Sequence, residues 1–206
     1  MGIVDVTTVD VVVEGETFRE QAGILAVSSP VFAGMLSSGM KEATSRQIHL
    51  PGKSKDEFQE FMQFLTPVSS RSQKITEKNV DFLVEWFSEY GVQVLTDECE
   101  EYLTTLECSQ DRLLQAHRLG LKKLYGHCLE YIGRNFDDVK LDKVAQFPEV
   151  MQDLVPVMQR CSQERRSAVE SLPIKLFSYI PSMSVATYAW DAAEELLQKL
   201  IAEGKL

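Results

Sequence analysis

Hydrophobic positions come in short bursts over the first third of the chain, and each burst is closed by a turn residue. Val9-Asp10-Val11-Val12-Val13 is a β-branched run that stops at Glu14-Gly15-Glu16, and Thr17-Phe18-Arg19 follows at once. This predicts a hairpin turning at Gly15. Ile24 to Val27 is apolar and short, with Ser28-Ser29-Pro30 behind it. Ser29 suits an N-cap and Pro30 the first helical position, so a second helix starts there. Val31, Phe32, Met35 and Leu36 form its apolar face, and Gly39 ends it. Gln47-Ile48-His49-Leu50 alternates and stops at Pro51-Gly52, which predicts a strand joining the first two.

From Ser54 the period changes to that of a helix. Ser54 is placed to cap "KDEFQEFMQFLT", with Glu57 at the capping-box position and Phe58, Phe61, Met62 and Leu65 as the buried stripe. Pro67 stops it, "VSSRSQK" is a polar loop, and a helix carrying Val80, Leu83, Val84 and Phe87 begins at about Glu77. Short strands and short helices thus come first and only helices follow, an α+β pattern.

The helical part repeats itself. "EYGVQVLTDECEEYL" (Glu89–Leu103) aligns with "RLGLKKLYGHCLEYI" (Arg118–Ile132) at a constant offset of 29, matching Gly91 with Gly120, Leu95 with Leu124 and Cys99 with Cys128. Each copy reads as a helix that breaks at a left-handed glycine and restarts. The leucine and cysteine then lie four apart on a buried face, so Cys99 and Cys128 are read as core. Beyond Asp142, "FPEVMQDLVPVMQRC" predicts a helix kinked or broken at Pro156, and "SQERRSAVESLP" is a polar stretch. The last segment, "AWDAAEELLQKLIAEGKL", is amphipathic through Trp190, Ala193, Leu197, Leu200 and Ile201. Ordinary packing on the preceding helices and binding of a partner both fit it.

Composition narrows the function. With 206 residues, 44% of them hydrophobic, the chain can bury a sizeable core. A formal net charge of −10 repels phosphate backbones and argues against nucleic-acid binding. No apolar run nears the roughly 20 residues that span a bilayer. The N-terminus lacks the features of a signal peptide, and Val6 stands where myristoylation needs Ser or Thr. None of the four cysteines, Cys99, Cys108, Cys128 and Cys161, is in a C-x-x-C pair, and reduced thiols in the cytosol or nucleus are expected. The three histidines fit no standard zinc spacing. There is no P-loop, G-x-S-x-G or H-E-x-x-H, and carboxylates such as Asp97–Glu101 are read as solvated helix faces. Neither an enzyme nor a cofactor is expected.

The run "DVVVEGETF…ILAVSSPVFAGMLSSGMKEA…RQIHLPG…FQEFMQFL…ITEKNV" resembles a BTB/POZ domain over about Val9 to Leu106. "SSPVF" followed by "MLSSGMKE" and a short strand is its most specific part. The second repeat copy resembles the helix pair that follows this domain in cullin-3 adaptors, called the 3-box or the start of a BACK domain. The resemblance implies a BTB domain over residues 1–107, a small three-stranded sheet flanked by short helices, and a helical extension over 108–206. Two departures stand out. Glu20-Gln21-Ala22 replaces the family's Ala-His-Lys, where Gln21 can still hydrogen-bond a carboxylate without the charge of a histidine. Phe64-Leu65-Thr66-Pro67 replaces its Tyr-x-Tyr-Thr-Gly. With little chain ahead of Asp10, the shorter type of BTB dimer is expected.

The same resemblance implies the sites. A homodimer would form on the first helices, through Ile24, Ala26, Val27 and Ser28, where small residues permit close approach. Filling the monomer's own core is the competing reading for Ile24 and Val27, and the expected role of Leu25. Ile75-Thr76-Glu77 matches the hydrophobic-x-acidic signature of cullin binders, an apolar anchor with an acidic rim. Capping of the next helix by Thr76 or Glu77 competes with that reading. Phe64 and Tyr90 complete the implied cullin-3 surface. The expected function is an adaptor that dimerises and links an unidentified substrate protein to a cullin-3 ubiquitin ligase. The alternative is a self-association scaffold or transcriptional co-regulator with no ubiquitin role.

Overall fold

The computed structural model describes residues 8–37, 39–65, 74–136 and 139–170; the amphipathic segment around Trp190 and the turn at Pro67 lie outside them. The chain divides into two compact units, Met1–Leu129 and Glu130–Leu206.

The first unit opens with the hairpin. Strand β1 (Thr8–Val13) runs antiparallel to β2 (Glu16–Gln21), with Val13 opposite Glu16. Glu14 and Gly15 have φ of 50° and 80°, the pair of left-handed residues that a tight two-residue hairpin requires. Val9, Val11 and Val13 alternate into the core. Strand β3 (Gln47–His49) does join them, lying parallel to β1 on its other side, so the order is β2-β1-β3. A parallel neighbour needs a long crossover. Helices α1 (Ala22–Ser28), α2 (Pro30–Met35) and α3 (Lys41–Ser45) supply it.

Ser29 divides α1 from α2. Its Oγ accepts the Phe32 N–H at 3.1 Å, the cap that the Ser-Pro pair predicts, and donates to the carbonyl of Tyr90 at 2.6 Å. The buried Ser29 thus closes α1 through its backbone N–H on the Leu25 carbonyl, while its hydroxyl starts α2 and ties it to a residue far along the chain. Helix α2 stops at Met35, ahead of the expected Gly39, and Gly39 (φ 99°) instead turns the chain into α3. That helix, "KEATS", buries no residue and has no apolar period to betray it.

Helix α4 (Lys55–Leu65) starts where expected. Glu14, in the hairpin turn, accepts the Lys55 N–H at 3.0 Å, and Glu57 accepts the indole N–H of Trp86 at 2.9 Å. Helix α5 (Val80–Glu89) begins a turn later than Glu77. Between these helices and α2 lies an aromatic core. Phe32 stacks on Tyr90 with centroids 4.6 Å apart, Phe61 lies 5.0 Å from Trp86, and Phe64 meets Phe87 edge-on at 5.8 Å. Such offset and edge-on pairs add about 0.5–1.5 kcal/mol each to the area they bury.

The repeat is structural. Helices α5 and α6 (Gln93–Leu103) are joined at Gly91, and α7 (Gln110–Leu119) and α8 (Lys122–Arg134) at Gly120, each with φ of 68°. Val92 donates to the Phe87 carbonyl at 2.8 Å, and Leu121, 29 residues later, to that of Ala116 at 2.9 Å. This is the same helix-ending bond made twice. Leu95, Cys99, Leu124 and Cys128 are buried, as the alignment requires.

The acidic run at Asp97–Glu101 is not solvated throughout. Glu100 is buried, not on a solvated face, and its Oε1 accepts the N–H groups of Lys123 and Leu124 at 2.7 and 3.1 Å. It closes the first turn of α8, where free N–H groups and the helix dipole favour a carboxylate.

In the second unit, α9 (Pro148–Glu170) continues through Pro156 and into the polar stretch that follows it as far as Glu170. Pro156 is exposed, so the helix loses one hydrogen bond without burying the loss. Val150, Leu154 and Cys161 form its buried side. A Cβ on Gly133 would stand 2.6 Å from Val157 Cγ1, so the glycine permits that close approach.

Candidate interaction surfaces

Helix α1 is too short to hold itself together, and its one buried side chain, Leu25, fixes it to the core. Ile24, Ala26 and Ser28 are half-buried, and Ser28 Oγ reaches the carbonyl of Leu65 at 3.5 Å. Val27 is 90% exposed, the most exposed large apolar side chain among the described residues. Leu25 thus has the core role expected of it, and Val27 does not fill the monomer core.

The replaced triplet spans the end of β2, Glu20 and Gln21, and the first residue of this helix, Ala22. Asp10 is held by Arg19, whose Nε donates at 3.1 Å across the hairpin, while Gln21 is exposed and pairs in register with Thr8. The carboxylate that Gln21 could have served is therefore bonded to Arg19. Glu20 is half-buried, and burial pushes its carboxyl above the usual carboxylate range.

The second surface is the loop ahead of α5. Ile75 is half-buried and Glu77 exposed. Asn79 organises the loop from inside. Its Oδ1 accepts the Thr76 N–H at 2.7 Å, and its Nδ2 donates to the Lys74 carbonyl at 3.0 Å and to Glu60 Oε1 at 2.6 Å. The backbone carbonyl of Thr76 accepts the N–H of Val80, so the loop runs directly into the helix. Sequence reasoning passed over Asn79, although an Asn at a helix start is the signal that could have found it.

Phe64 and Tyr90, which the resemblance implies for the cullin surface, lie in the core instead. Each is 3% exposed, built into the aromatic core by Phe87 and by Phe32, and so presents no side chain for a partner to touch. Burial, with Glu89 adding to it, also pushes the Tyr90 phenol well up. Lys53 covers the edge of this core. It stands 4.9 Å from the centroid of Trp86 and is ion-paired with Glu89.

Among the described residues no group of three or more His, Cys, Asp or Glu is placed to hold a metal ion, and no helix is long and apolar enough to cross a membrane. What the geometry offers is two surfaces and a buried frame that fixes them.

Residues 4–107, about half of the chain, match the BTB/POZ domain family, and the chain belongs to that family. It is 33% identical over 124 residues to BTB and MATH domain-containing protein 38 of Caenorhabditis elegans, covering 59% of this chain and 31% of that one. It is 29% identical over 138 residues to human Kelch-like protein 24, covering 65% of this chain and 22% of that one. Mouse Kelch repeat and BTB domain-containing protein 8 matches at 29% over 134 residues, 62% of this chain and 22% of the relative. The chain spans a third or less of the length of these curated relatives.

Proposed function

We propose that the chain is a homodimerising interaction module that links a substrate protein to a cullin-3 ubiquitin ligase in the cytosol or nucleus, without performing chemistry itself. Membership of the BTB/POZ family supports an interaction role, and the Kelch-like and BTB–MATH relatives support the adaptor type. The observation that carries the reading furthest is the pinned loop. Asn79 and Glu60 hold Ile75 and Glu77 at the surface in one geometry, so binding would cost little ordering entropy. Ile75 supplies an apolar anchor and Glu77 an acidic rim. The α7–α8 pair, which repeats α5–α6, serves as the 3-box that extends this surface.

Dimerisation rests on α1. Val27 is the centre of a self-complementary patch flanked by Ile24, Ala26 and Ser28, which a two-fold partner would cover. Light scattering coupled to size exclusion tests it. The wild type should give twice the 23.3 kDa chain mass, and Val27→Asp should give 23.3 kDa with an unchanged circular dichroism spectrum. A wild type that runs as a monomer at tens of micromolar rules the dimer out.

A further inference from the structure

One chemical feature of the second helix pair plays no part in the adaptor role. Cys128 Sγ donates to Cys108 Sγ across 3.4 Å, between side chains that are both buried, and both thiols are free. Cys108 lies one residue ahead of Ser109, the N-cap of α7, and Cys128 is in the body of α8. The pair therefore faces across the second helical hairpin, 20 residues apart in sequence. A disulfide has its sulfurs at about 2.05 Å, so closure asks for the sulfurs to approach by about 1.4 Å.

The four cysteines are not equivalent. Cys108 is 6% exposed, while Cys99, Cys128 and Cys161 are 0%, 0% and 2% exposed. A dissolved oxidant thus meets Cys108 first. Burial and the Cys108 contact push the Cys128 thiol up, and the Arg112 guanidinium offsets this only in part, so Cys128 holds its proton. It is placed as the second thiol of a pair, not as the first nucleophile.

We infer that Cys108 and Cys128 are a redox modification site, oxidised to an intramolecular disulfide by a hydroperoxide. In the first step the Cys108 sulfur attacks the hydroperoxide, ROOH, and the O–O bond breaks. This gives Cys108–SOH and ROH, the thiol proton passing to the departing oxygen. In the second step the Cys128 sulfur attacks the sulfenic sulfur and an S–S bond forms. The S–O bond breaks, and the Cys128 proton leaves with the hydroxyl as water. The two thiols lose two electrons and the hydroperoxide gains them. An external dithiol reverses the change. The product would staple the start of α7 to α8 and stiffen the helix pair. This inference does not depend on cullin binding.

The test uses the full chain, reduced, desalted and treated with equimolar hydrogen peroxide, then unfolded in iodoacetamide. Treated protein should take up two alkyl groups where reduced protein takes up four, one per cysteine. Peptide mapping without reduction should find Cys108 joined to Cys128 within one chain. Dithiothreitol should restore four groups, and Cys108→Ser should leave its three remaining thiols alkylated after peroxide. Four alkyl groups after peroxide, over-oxidised Cys108 without a cross-link, or a cross-link to Cys99 or Cys161 would each overturn the inference. The decisive readings come from the wild type, so they hold even if the variant fails to fold.

Discussion

Asn79 Nδ2 stands 2.6 Å from Glu60 Oε1, and this one bond ties the loop ahead of α5 to the outer part of α4. The same amide closes on Thr76 and Lys74, so a single buried side chain determines how Ile75 and Glu77 are shown to solvent. Removing it should be felt twice.

Asn79→Ala leaves the Thr76 N–H without its amide partner and Glu60 without its donor. Such a loss costs about 1–3 kcal/mol. The unfolding free energy should fall by that amount, read as a lower urea midpoint with little change in slope. Amide exchange at Thr76 and Glu77 should speed up more than in the α5 body. A variant with the wild-type midpoint and wild-type exchange in the loop would remove Asn79 from this role.

The two repeat glycines share a φ of 68° yet should not respond alike. Either one replaced by alanine acquires the left-handed strain of about 1–2 kcal/mol. At Gly91 the new Cβ would also stand 2.8 Å from Cγ of Pro30, a ring that cannot swing away, whereas nothing lies within 4 Å at Gly120. Overpacking adds about 1–3 kcal/mol. Thermal unfolding should therefore show Gly91→Ala less stable than Gly120→Ala by several degrees, at about 2–4 °C per kcal/mol for a chain of this size. Equal losses would mean that the Pro30 contact relaxes freely.

Glu20 gives a pH dependence with a fixed sign. Burial raises its carboxyl pKa in the folded state, so the fold holds the proton more tightly than the unfolded chain does. Below the ordinary value of about 4.3 the residue costs nothing. As pH rises from there through the folded value the cost grows, and above it the cost is constant. Glu20→Gln should match the wild type near pH 4 and exceed it at pH 7. Glu20 is half-exposed and solvent screens it, so the gain stays below about 1 kcal/mol. Parallel stability curves for the two proteins between pH 4 and pH 7 would contradict this.

Much of the fold was legible because its signals are local. The β-branched run Val9–Val13, the Ser29-Pro30 boundary and the paired glycines each act within a few residues, and each appears where the pattern puts it. The failures share one cause. Helix α3 has no apolar period, and Glu100 looks like its solvated neighbours until α8 is folded against it. Whether a side chain is covered depends on residues far away in sequence.

The sites divide the same way. Val27 at the surface and Leu25 in the core lie two apart on one short helix, and only the fold tells them apart. Only resemblance assigns Phe64 and Tyr90 to the cullin surface. Their burial follows from partners at Phe87 and Phe32 that no spacing in the sequence points to. Asn79 reaches Lys74 and Thr76 within its own loop, but its bond to Glu60 forms only when α4 and α5 pack.

The central claim is that the Asn79-held loop binds a cullin, and calorimetric titration of the cullin-3 N-terminal domain into the full chain tests it most directly. The account predicts one cullin domain per chain, a Kd tighter than the order of tens of micromolar, and loss of that binding in Ile75→Asp with the wild-type solution mass retained. No heat of binding at those concentrations from a wild type that still dimerises would contradict it and leave a self-association scaffold. Wild-type affinity in Ile75→Asp would contradict the site.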